Sequence, residues 1–342
     1  MNKILSIIVP TYNMERYLRR CLDSLIVSDE NMQRIEVLVI NDGSRDSSSQ
    51  IAHEYETKFP QTFRVIDKEN GNYGSCINRG LKEMSGKYVK VLDADDYFVT
   101  EEFERFISTI ANVDVDLITS SYCVVSEDGH VLKRKTFNLP INTTLKRNEV
   151  DHNISFYKMQ MHGIAYNTRL FREFDYVQSE GISYTDQEWI FTPMYYVNDV
   201  YVTDCSVYRY MLGREGQTMD PKVAIRCMSH TVKGLFKEIK DYNYMTFTNE
   251  YEKYYFRENL SRRIKYVYFN YILKNYKVLN QDEIVKIDKV IRSLNSEVYG
   301  WADEMCLYKG FIPYVKIWKD SPNGLYLKLL RMIVNCFQIR NK

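Results

Sequence analysis

Three aspartates stand within four positions, Asp93, Asp95 and Asp96, directly after the β-forming run KYVKVL. Carboxylates packed this closely repel one another, and burying them is costly unless another group offsets their charge. A pair of such carboxylates is suited to hold a hard divalent cation, Mn²⁺ or Mg²⁺, whose remaining positions go to phosphate oxygens and water. The cluster therefore predicts a metal-dependent phosphate site, with a solvated surface turn as the alternative.

The segments before this cluster alternate between strand and helix patterns. Strand patterns are LSIIVP (5–10), IEVLVIND (35–42), FRVIDKEN (63–70) and KYVKVLDADD (87–96), and helix patterns are MERYLRRCLDSLI (14–26), IAHEYETKF (51–59) and INRGLKEMS (77–85). This alternation predicts parallel βαβ units, which bind ligands outside the carboxyl ends of their strands. Because Asp42 ends the second strand pattern, we expect it to face the same crevice as Asp93 to Asp96.

Composition excludes several classes of protein. The 342 residues are 45% hydrophobic and 27% charged, as in an ordinary globular protein. The N-terminus MNKILSIIVPTYN meets Pro10 before a signal-peptide core develops, and no apolar run is long enough for a bilayer span. Seven scattered cysteines include no C-x-x-C pair, and the five histidines lack zinc-site spacing. We expect a cytoplasmic protein with reduced thiols.

The chain changes character near Asp220, after which amphipathic helix patterns dominate. Residues 251–342 contain 17 basic and 9 acidic side chains, a net charge of +8, whereas the first 250 residues carry −7. A helix bundle with solvated charges explains most of this region. Nucleic-acid binding and docking on an anionic membrane surface are the alternatives. We expect no nucleic-acid partner, and only GLYLKLLRMIVNCFQIRNK (324–342) has the pattern of a membrane-surface helix.

Five segments, taken in order, resemble the motifs of family-2 glycosyltransferases with the GT-A fold, of the bacterial surface-polysaccharide type. They are LSIIVPTYN, EVLVINDGSRDSS, ENGNYGSCINRGL, SGKYVKVLDADD and YTDQEWIF. The resemblance implies an α/β fold, Rossmann-like with a mostly parallel sheet and flanking helices, over residues 1–215. Residues 1–100 would form the nucleotide-sugar-binding half and 101–215 the acceptor-side half, with 216–342 as the helical C-terminal region.

The resemblance also implies an activity. Relatives move a sugar with inversion from a nucleoside-diphosphate sugar, here expected to be a UDP-sugar, to a hydroxyl of a growing surface glycan. The transferred group would be a hexose or an N-acetylhexosamine, and the acceptor could be lipid-linked at the inner face of the cytoplasmic membrane. A sugar-nucleotide pyrophosphorylase is disfavoured because VPTYNMERYL offers no Gly-rich basic loop. A non-catalytic binding module with a transferase-like fold remains the main alternative.

Residues of the donor side follow from the motifs. By resemblance, Thr11 and Tyr12 line the nucleoside pocket and Asp42 accepts from a base N–H. Gly74 would let the backbone approach the donor, and Asn78 matches the family's asparagine. The arginine that the family often places before that asparagine is Ile77 here. Either Arg79 replaces it or phosphate neutralisation falls to the metal and another cation.

The same resemblance assigns the metal and diphosphate residues. Asp93 would reach the ribose or sugar and share the metal with Asp95, and Asp96 would orient water or the donor sugar. Capping of a helix near TEEFERFI is the alternative for Asp96. In YRYMLGREGQTMD (208–220), Arg214 and Gln217 could close over the diphosphate, or the segment could be an ordinary linker.

The general base is the remaining role. The family's base is the aspartate of an E-D pair that begins a helix, and Asp186 matches it, with Thr185 in the glutamate's position. Glu188 is the second candidate, although on a helix it would point away from Asp186. His162 could touch the acceptor, or it could be a structural histidine.

Overall fold

The computed structural model describes residues 3–150, 153–214, 217, 220–307 and 311–340. The chain forms two compact units, Met1–Asp220 and Pro221–Lys342. The first holds every strand named below and the second is helical.

One mixed sheet organises the first unit. Its strands are β1 (Leu5–Thr11), β2 (Ile35–Asn41), β3 (Phe63–Asp67), β4 (Tyr88–Val91), β5 (Tyr97–Phe98), β6 (Leu117–Val125), β7 (Val131–Lys135), β8 (Thr143–Lys146), β9 (Ile164–Asn167) and β10 (Asp199–Met211). The order is β3-β2-β1-β4-β9-β6-β10-β5, with β7 beside β6 and β8 beside β10. Strands β3, β2, β1 and β4 are parallel, and β9 runs antiparallel to both of its neighbours.

The predicted βαβ series is confirmed, because the four parallel strands alternate with helices and three of them are buried along most of their length. All seven residues of β1 are buried, as are six of the seven in β2 and all four in β4. Burial on both faces is typical of parallel strands covered by helices on each side. The four parallel strands bring their carboxyl ends to one edge of the sheet, which carries Asp42 and Asp93.

Helices connect and cover these strands. In the first unit they are α1 (Glu15–Asp23), α2 (Asp29–Arg34), α3 (Ser48–Lys58), α4 (Asn72–Glu83), α5 (Thr100–Ile110), α6 (Arg147–Val150), α7 (Ile154–Tyr157), α8 (Leu170–Glu173) and α9 (Asp186–Phe191), with 3₁₀ turns at Met161–Gly163 and Pro193–Tyr196. Helix α4 begins five residues before the predicted start at Ile77. Its Cys76 is buried, as is Ile77, with which the expected stretch began.

The second unit is built from helices alone among its described residues. They are α10 (Pro221–Arg226), α11 (Met228–Asn243), α12 (Glu250–Phe269) with a π-helical extension Asn270–Lys274, α13 (Gln281–Leu294), α14 (Ser296–Asp303), α15 (Tyr314–Asp320) and α16 (Leu325–Arg340). Asn280 and Asn295 cap α13 and α14, each accepting a backbone N–H at 2.9 Å. None of the described helices combines the length and apolar character that crossing a bilayer requires.

Candidate active site

The turn after β4 draws two of the three clustered aspartates together. The backbone N–H of Asp96 donates to the carbonyl of Asp93 at 2.9 Å, which closes a four-residue turn. The hydroxyl of Tyr208, on β10, accepts from the N–H of Asp93 at 3.2 Å and donates to Oδ2 of Asp96 at 2.7 Å. One buried tyrosine therefore fixes both ends of the turn.

Asp96 is held by the protein on both carboxylate oxygens. Oδ2 accepts from Tyr208, and Oδ1 accepts from the backbone N–H of Met211 at 2.7 Å. Desolvation and the charges of Asp95 and Asp93 raise the pKa of this 1% exposed carboxyl. The helix-cap alternative is wrong, because α5 begins at Thr100 and the residue preceding it, Val99, occupies the cap position.

Asp93 faces the first turn of α4. The hydroxyl of Tyr73 donates to its Oδ1 at 2.9 Å. Desolvation and the charge of Asp95 raise the pKa of Asp93 to about 7, and the charge of Asp186 acts in the same direction. Asp186, the expected base, therefore lies within electrostatic reach of the Asp93 carboxylate, although they stand 93 positions apart in the sequence.

Asp95 pairs with a positively charged side chain from the loop after β10. Its Oδ2 forms an ion pair with the guanidinium of Arg214, and its backbone carbonyl accepts from Arg20 at 3.1 Å. Arg214 thus lies at the cluster, as expected for a residue of the diphosphate site. Gln217 does not reach outward, because its amide donates to the Met211 carbonyl at 2.7 Å and accepts from the N–H of Gly213 at 3.2 Å. Its contacts close its own loop.

The segment before α9 positions Asp186 at the start of that helix. Asn78 accepts from the N–H of Gln178 at 2.8 Å and donates to the Gln178 carbonyl at 2.9 Å. The side chain of Gln178 in turn donates to the hydroxyl of Thr185 at 2.9 Å and to its carbonyl at 3.0 Å. Asn78 therefore supports the backbone that carries Asp186, a different role from the donor contact that the resemblance implied.

Glu188, the second candidate for the base, is fully buried. Its Oε2 accepts from the backbone N–H of Ser179 at 2.9 Å. It therefore braces the same segment from inside, away from any acceptor, while Asp186 is only half-buried and accepts from Gln187 at 2.9 Å. The two carboxylates therefore diverge on α9, as expected.

Two further donor-side expectations need correction. A Cβ built on Gly74 would lie 1.9 Å from the Ser179 carbonyl oxygen, so the missing side chain makes room for the protein's own backbone. Arg79 forms an ion pair at 2.9 Å with Glu83, which also binds Arg64. Because α4 runs back from the carboxyl edge of the sheet, this pair near its last turn lies toward the opposite edge. Arg79 therefore does not take the place of the missing arginine.

The nucleoside end of the expected site lies after β1 and β2. Asp42 is buried, and its Oδ1 accepts from the ammonium of Lys68 and from the N–H of Gly71 at 2.9 Å. The hydroxyl of Thr11 donates to the Val9 carbonyl at 3.1 Å, whereas the Tyr12 side chain is 42% exposed. Of these residues, Tyr12 offers a free ring face to a ligand.

Two further residues lie at this turn: His162, expected as an acceptor contact or a structural histidine, and Lys90, to which the sequence gave no role. Asp93, Asp96 and His162 each offer a ligand atom within 4.8 Å of the others, the one such group found among the described residues. Nδ1 of His162 is buried without a hydrogen-bond partner. Two carboxylates and an unpaired imidazole nitrogen fit a divalent cation. Asp95, expected to share the metal with Asp93, is not in this group because it pairs with Arg214.

Lys90 lies in the middle of β4 and is fully buried. Its ammonium donates to the backbone carbonyls of His162 at 2.7 Å and Ile164 at 3.0 Å. Burial lowers the pKa of Lys90 to about 7. A charged residue inside an otherwise apolar strand pattern was the one sequence signal that could have marked it. Tyr73, Tyr208 and Arg20 left no such signal, because their partners are distant in the chain.

Comparison with known proteins relates part of this chain to one family. Residues 6–169 match the sequence model described as Glycosyl transferase family 2. EpsH of Bacillus subtilis (strain 168) is 29% identical over 217 residues, which are 60% of this chain and 60% of EpsH. Glycosyltransferase GlyA of Streptococcus pneumoniae is 32% identical over 177 residues, 49% of this chain and 25% of GlyA. The chain thus spans less than two thirds of the length of these relatives.

Solved structures share the fold. S. aureus TarS 1–349 in complex with UDP-GlcNAc superposes with a TM-score of 0.70 at 22% identity, covering 86% of this chain and 82% of that one. The mannosyltransferase PcManGT from Pyrobaculum calidifontis, in complex with GDP-Man and Mn²⁺, gives a TM-score of 0.51 at 14% identity, covering 95% and 89%. At these identities the likeness concerns the fold.

Replacing Lys90 by Met should change how stability depends on pH. Burial lowers the Lys90 pKa from 10.5 to about 7, so between these values the unfolded chain binds more protons than the folded one. The free energy of unfolding of the unmodified protein should therefore rise with pH, relative to Lys90→Met, by up to about 1.4 kcal/mol per pH unit. Below pH 7 the difference in unfolding free energy between the unmodified protein and Lys90→Met should no longer change with pH.

Urea unfolding at pH 7 and 9.5 measures this difference. Replacing Trp301 and Trp318 by Phe leaves Trp189 as the only tryptophan, so its fluorescence reports on the first unit. Lys87→Met is the control, because it removes a partly exposed ammonium three positions earlier. If Lys87→Met changed the pH dependence of the unfolding free energy as much as Lys90→Met does, the effect would come from net charge. Burial of Lys90 would then not explain it.

Proposed function

We propose that this protein transfers a sugar from a UDP-sugar to a hydroxyl of a glycan, with inversion, because residues 6–169 match the model of glycosyl transferase family 2 and solved structures share its fold. The observation that carries the proposal is that the Asp186 carboxylate lies within electrostatic reach of Asp93, in the turn at the carboxyl edge of the sheet. A donor diphosphate would lie over the turn, and an acceptor would approach Asp186.

The nucleoside would lie between the loops after β1 and β2. Tyr12 offers an exposed ring for stacking on the base. Asp42 uses Oδ1 for Lys68 and Gly71, so Oδ2 is the oxygen that would accept from the base. TarS in complex with UDP-GlcNAc and with UDP supports uracil as that base, by analogy of fold.

The diphosphate requires positive charge, which Arg214 can supply. Its ion pair with Asp95 holds the guanidinium at the turn, and exchange of this carboxylate for a phosphate would keep the charge balanced. Arg20, which donates to the Asp95 carbonyl, lies beside it. A divalent cation held at Asp93 and its neighbours would stabilise the negative charge that builds on the leaving phosphate. The Mn²⁺ bound with GDP-Man in PcManGT supports this role.

The transfer would be a single displacement. The acceptor oxygen forms a bond to the anomeric carbon while the bond from that carbon to the β-phosphate oxygen breaks, and UDP leaves. Asp186 would take the acceptor proton. Its place at the first position of α9 sets the carboxylate apart from the buried Glu188, so one oxygen can face the acceptor.

The acceptor is proposed to be presented at a membrane surface. On α16, one face packs inward through Leu327, Leu330 and Arg331, and the Arg331 guanidinium donates to the Ile272 carbonyl at 2.8 Å. The opposite face exposes five apolar side chains at helical spacing, between 41% and 78% exposed: Leu325, Tyr326, Leu329, Met332 and Ile333. With exposed Lys328 among them, this stripe has the composition of an interfacial helix.

UDP binding tests the proposal against a non-catalytic module or a nucleic-acid binder. Calorimetric titration should show UDP binding with Mn²⁺ that weakens at least about tenfold in EDTA. Asp93→Asn should remove most of the metal-dependent part, because the amide is a poor cation ligand. Asp114→Asn, at a carboxylate that is 69% exposed, is the control. Absence of UDP binding with and without metal would sink the proposal.

Asp186→Asn should separate binding from chemistry. The amide keeps the shape of the carboxylate but cannot take a proton, so UDP affinity should change less than threefold while the rate falls about 100-fold or more. The rate is that of UDP release from UDP-GlcNAc and other UDP-sugars, with water as acceptor. Gln187→Ala removes the donor to Asp186 but leaves the carboxylate, and should retain most activity. Full activity of Asp186→Asn would move the base elsewhere.

The membrane proposal predicts co-flotation with liposomes containing about one third phosphatidylglycerol. Leu329→Glu with Met332→Glu should lower the bound fraction several-fold, because two charges then enter the apolar stripe. Val278→Glu with Val285→Glu places the same charges at exposed valines elsewhere in the unit and should have little effect. Equal flotation of the two double variants would argue against α16 as the contact.

A further inference from the structure

His162 has the environment of a ligand rather than of a structural histidine. The side chain is 7% exposed, and its Nδ1 is buried without a hydrogen-bond partner. A buried structural imidazole normally uses its nitrogens as donor or acceptor, so an orphaned one requires an explanation. Carboxylate oxygens of Asp93 and Asp96 lie within 4.8 Å of the ring's ligand atom.

The ring is held in this orientation from two sides. Lys90 fixes the backbone of the 3₁₀ turn through the His162 carbonyl at 2.7 Å. Three aromatic rings enclose the imidazole, with centroid distances of 5.2 Å to Tyr122, 4.8 Å to Tyr208 and 4.3 Å to Tyr210. A ring packed in this way loses little further freedom when it binds a ligand, which favours a preorganised site.

The imidazole offers the kind of nitrogen that a metal requires. A neutral imidazole has one nitrogen with a free lone pair, which is the form that binds a metal. The ammonium of Lys90 is satisfied by two carbonyls and does not compete for the ring.

We propose that His162 is a nitrogen ligand of the cation at the Asp93–Asp96 turn, and that it makes the site select Mn²⁺ over Mg²⁺. Mg²⁺ prefers oxygen ligands, whereas imidazole nitrogen favours transition-metal ions, so the mixed set discriminates between the two cations named for this site. The inference rests on the proposed function only for the role of the cation, which is to bind the donor diphosphate.

Pulsed electron paramagnetic resonance of bound Mn²⁺ tests the ligand directly. The protein at pH 7.5, with and without UDP, should show the hyperfine coupling of a directly bound imidazole nitrogen, and ¹⁵N-histidine labelling should change that coupling. His162→Gln should abolish it, weaken Mn²⁺ binding about 10- to 100-fold and narrow the preference for Mn²⁺ over Mg²⁺. His130→Gln, at a side chain that is 84% exposed, is the matched control and should retain it.

A second variant tests the same ligand in a protein that keeps His162, so the test does not require that His162→Gln folds. Replacing the other four histidines, at positions 53, 130, 152 and 230, by Gln leaves His162 as the only histidine, and the nitrogen coupling should persist. Bound Mn²⁺ without histidine coupling would overturn the inference and leave the proposed function standing. Metal-independent UDP binding would overturn the cation site and the inference together. Absence of UDP binding to the unmodified protein, with and without metal, would instead contradict the proposed function.

Discussion

The mutual repulsion of four carboxylates at one edge of the sheet is the constraint that the surrounding residues must offset. Asp93, Asp95, Asp96 and Asp186 all act on the same small region, and each is stabilised by a different donor. Tyr73 donates to Asp93, Tyr208 and the Met211 N–H donate to Asp96, and Arg214 pairs with Asp95. Tyr73 lies on α4, Tyr208 and Met211 lie on β10, and Arg214 follows β10, so the site exists only when these distant segments are folded together.

The need to satisfy buried polar groups also explains why Asn78 and Glu188, both expected at the site, are buried in the protein. Each hydrogen-bonds to the backbone of the segment before α9, Asn78 at Gln178 and Glu188 at Ser179. Buried polar groups are tolerated where they are hydrogen-bonded, and such bonds restrict the backbone that they support. The position of Asp186, the proposed base, therefore depends on these buried residues as well as on its own contacts.

Much of the fold could be predicted from sequence, because its first half depends on local patterns. Short apolar runs and helical periodicity indicated β1 to β4 and the helices between them, and the carboxyl-edge rule placed Asp42 and Asp93 together. The start of α4 was missed because Asn72, Gly74 and Ser75 do not read as helix formers. Arg79 was offered as a replacement for the missing arginine because it lies next to Asn78 in the sequence. On helix α4, however, its side chain pairs with Glu83.

By itself the sequence determined the fold class, the acidic turn after β4 and the aspartate that begins α9, since each is carried by a contiguous motif. Only the tertiary structure decided that Asp93 and Asp96 approach His162, that Asp95 pairs with Arg214, and which side chains support the segment before Asp186. Those choices depend on contacts such as Lys90 with His162 and Asp96 with Met211, which join residues 72 and 115 positions apart. Hydrogen bonding and charge pairing act through space, so a motif lists the groups of a site but does not specify their partners.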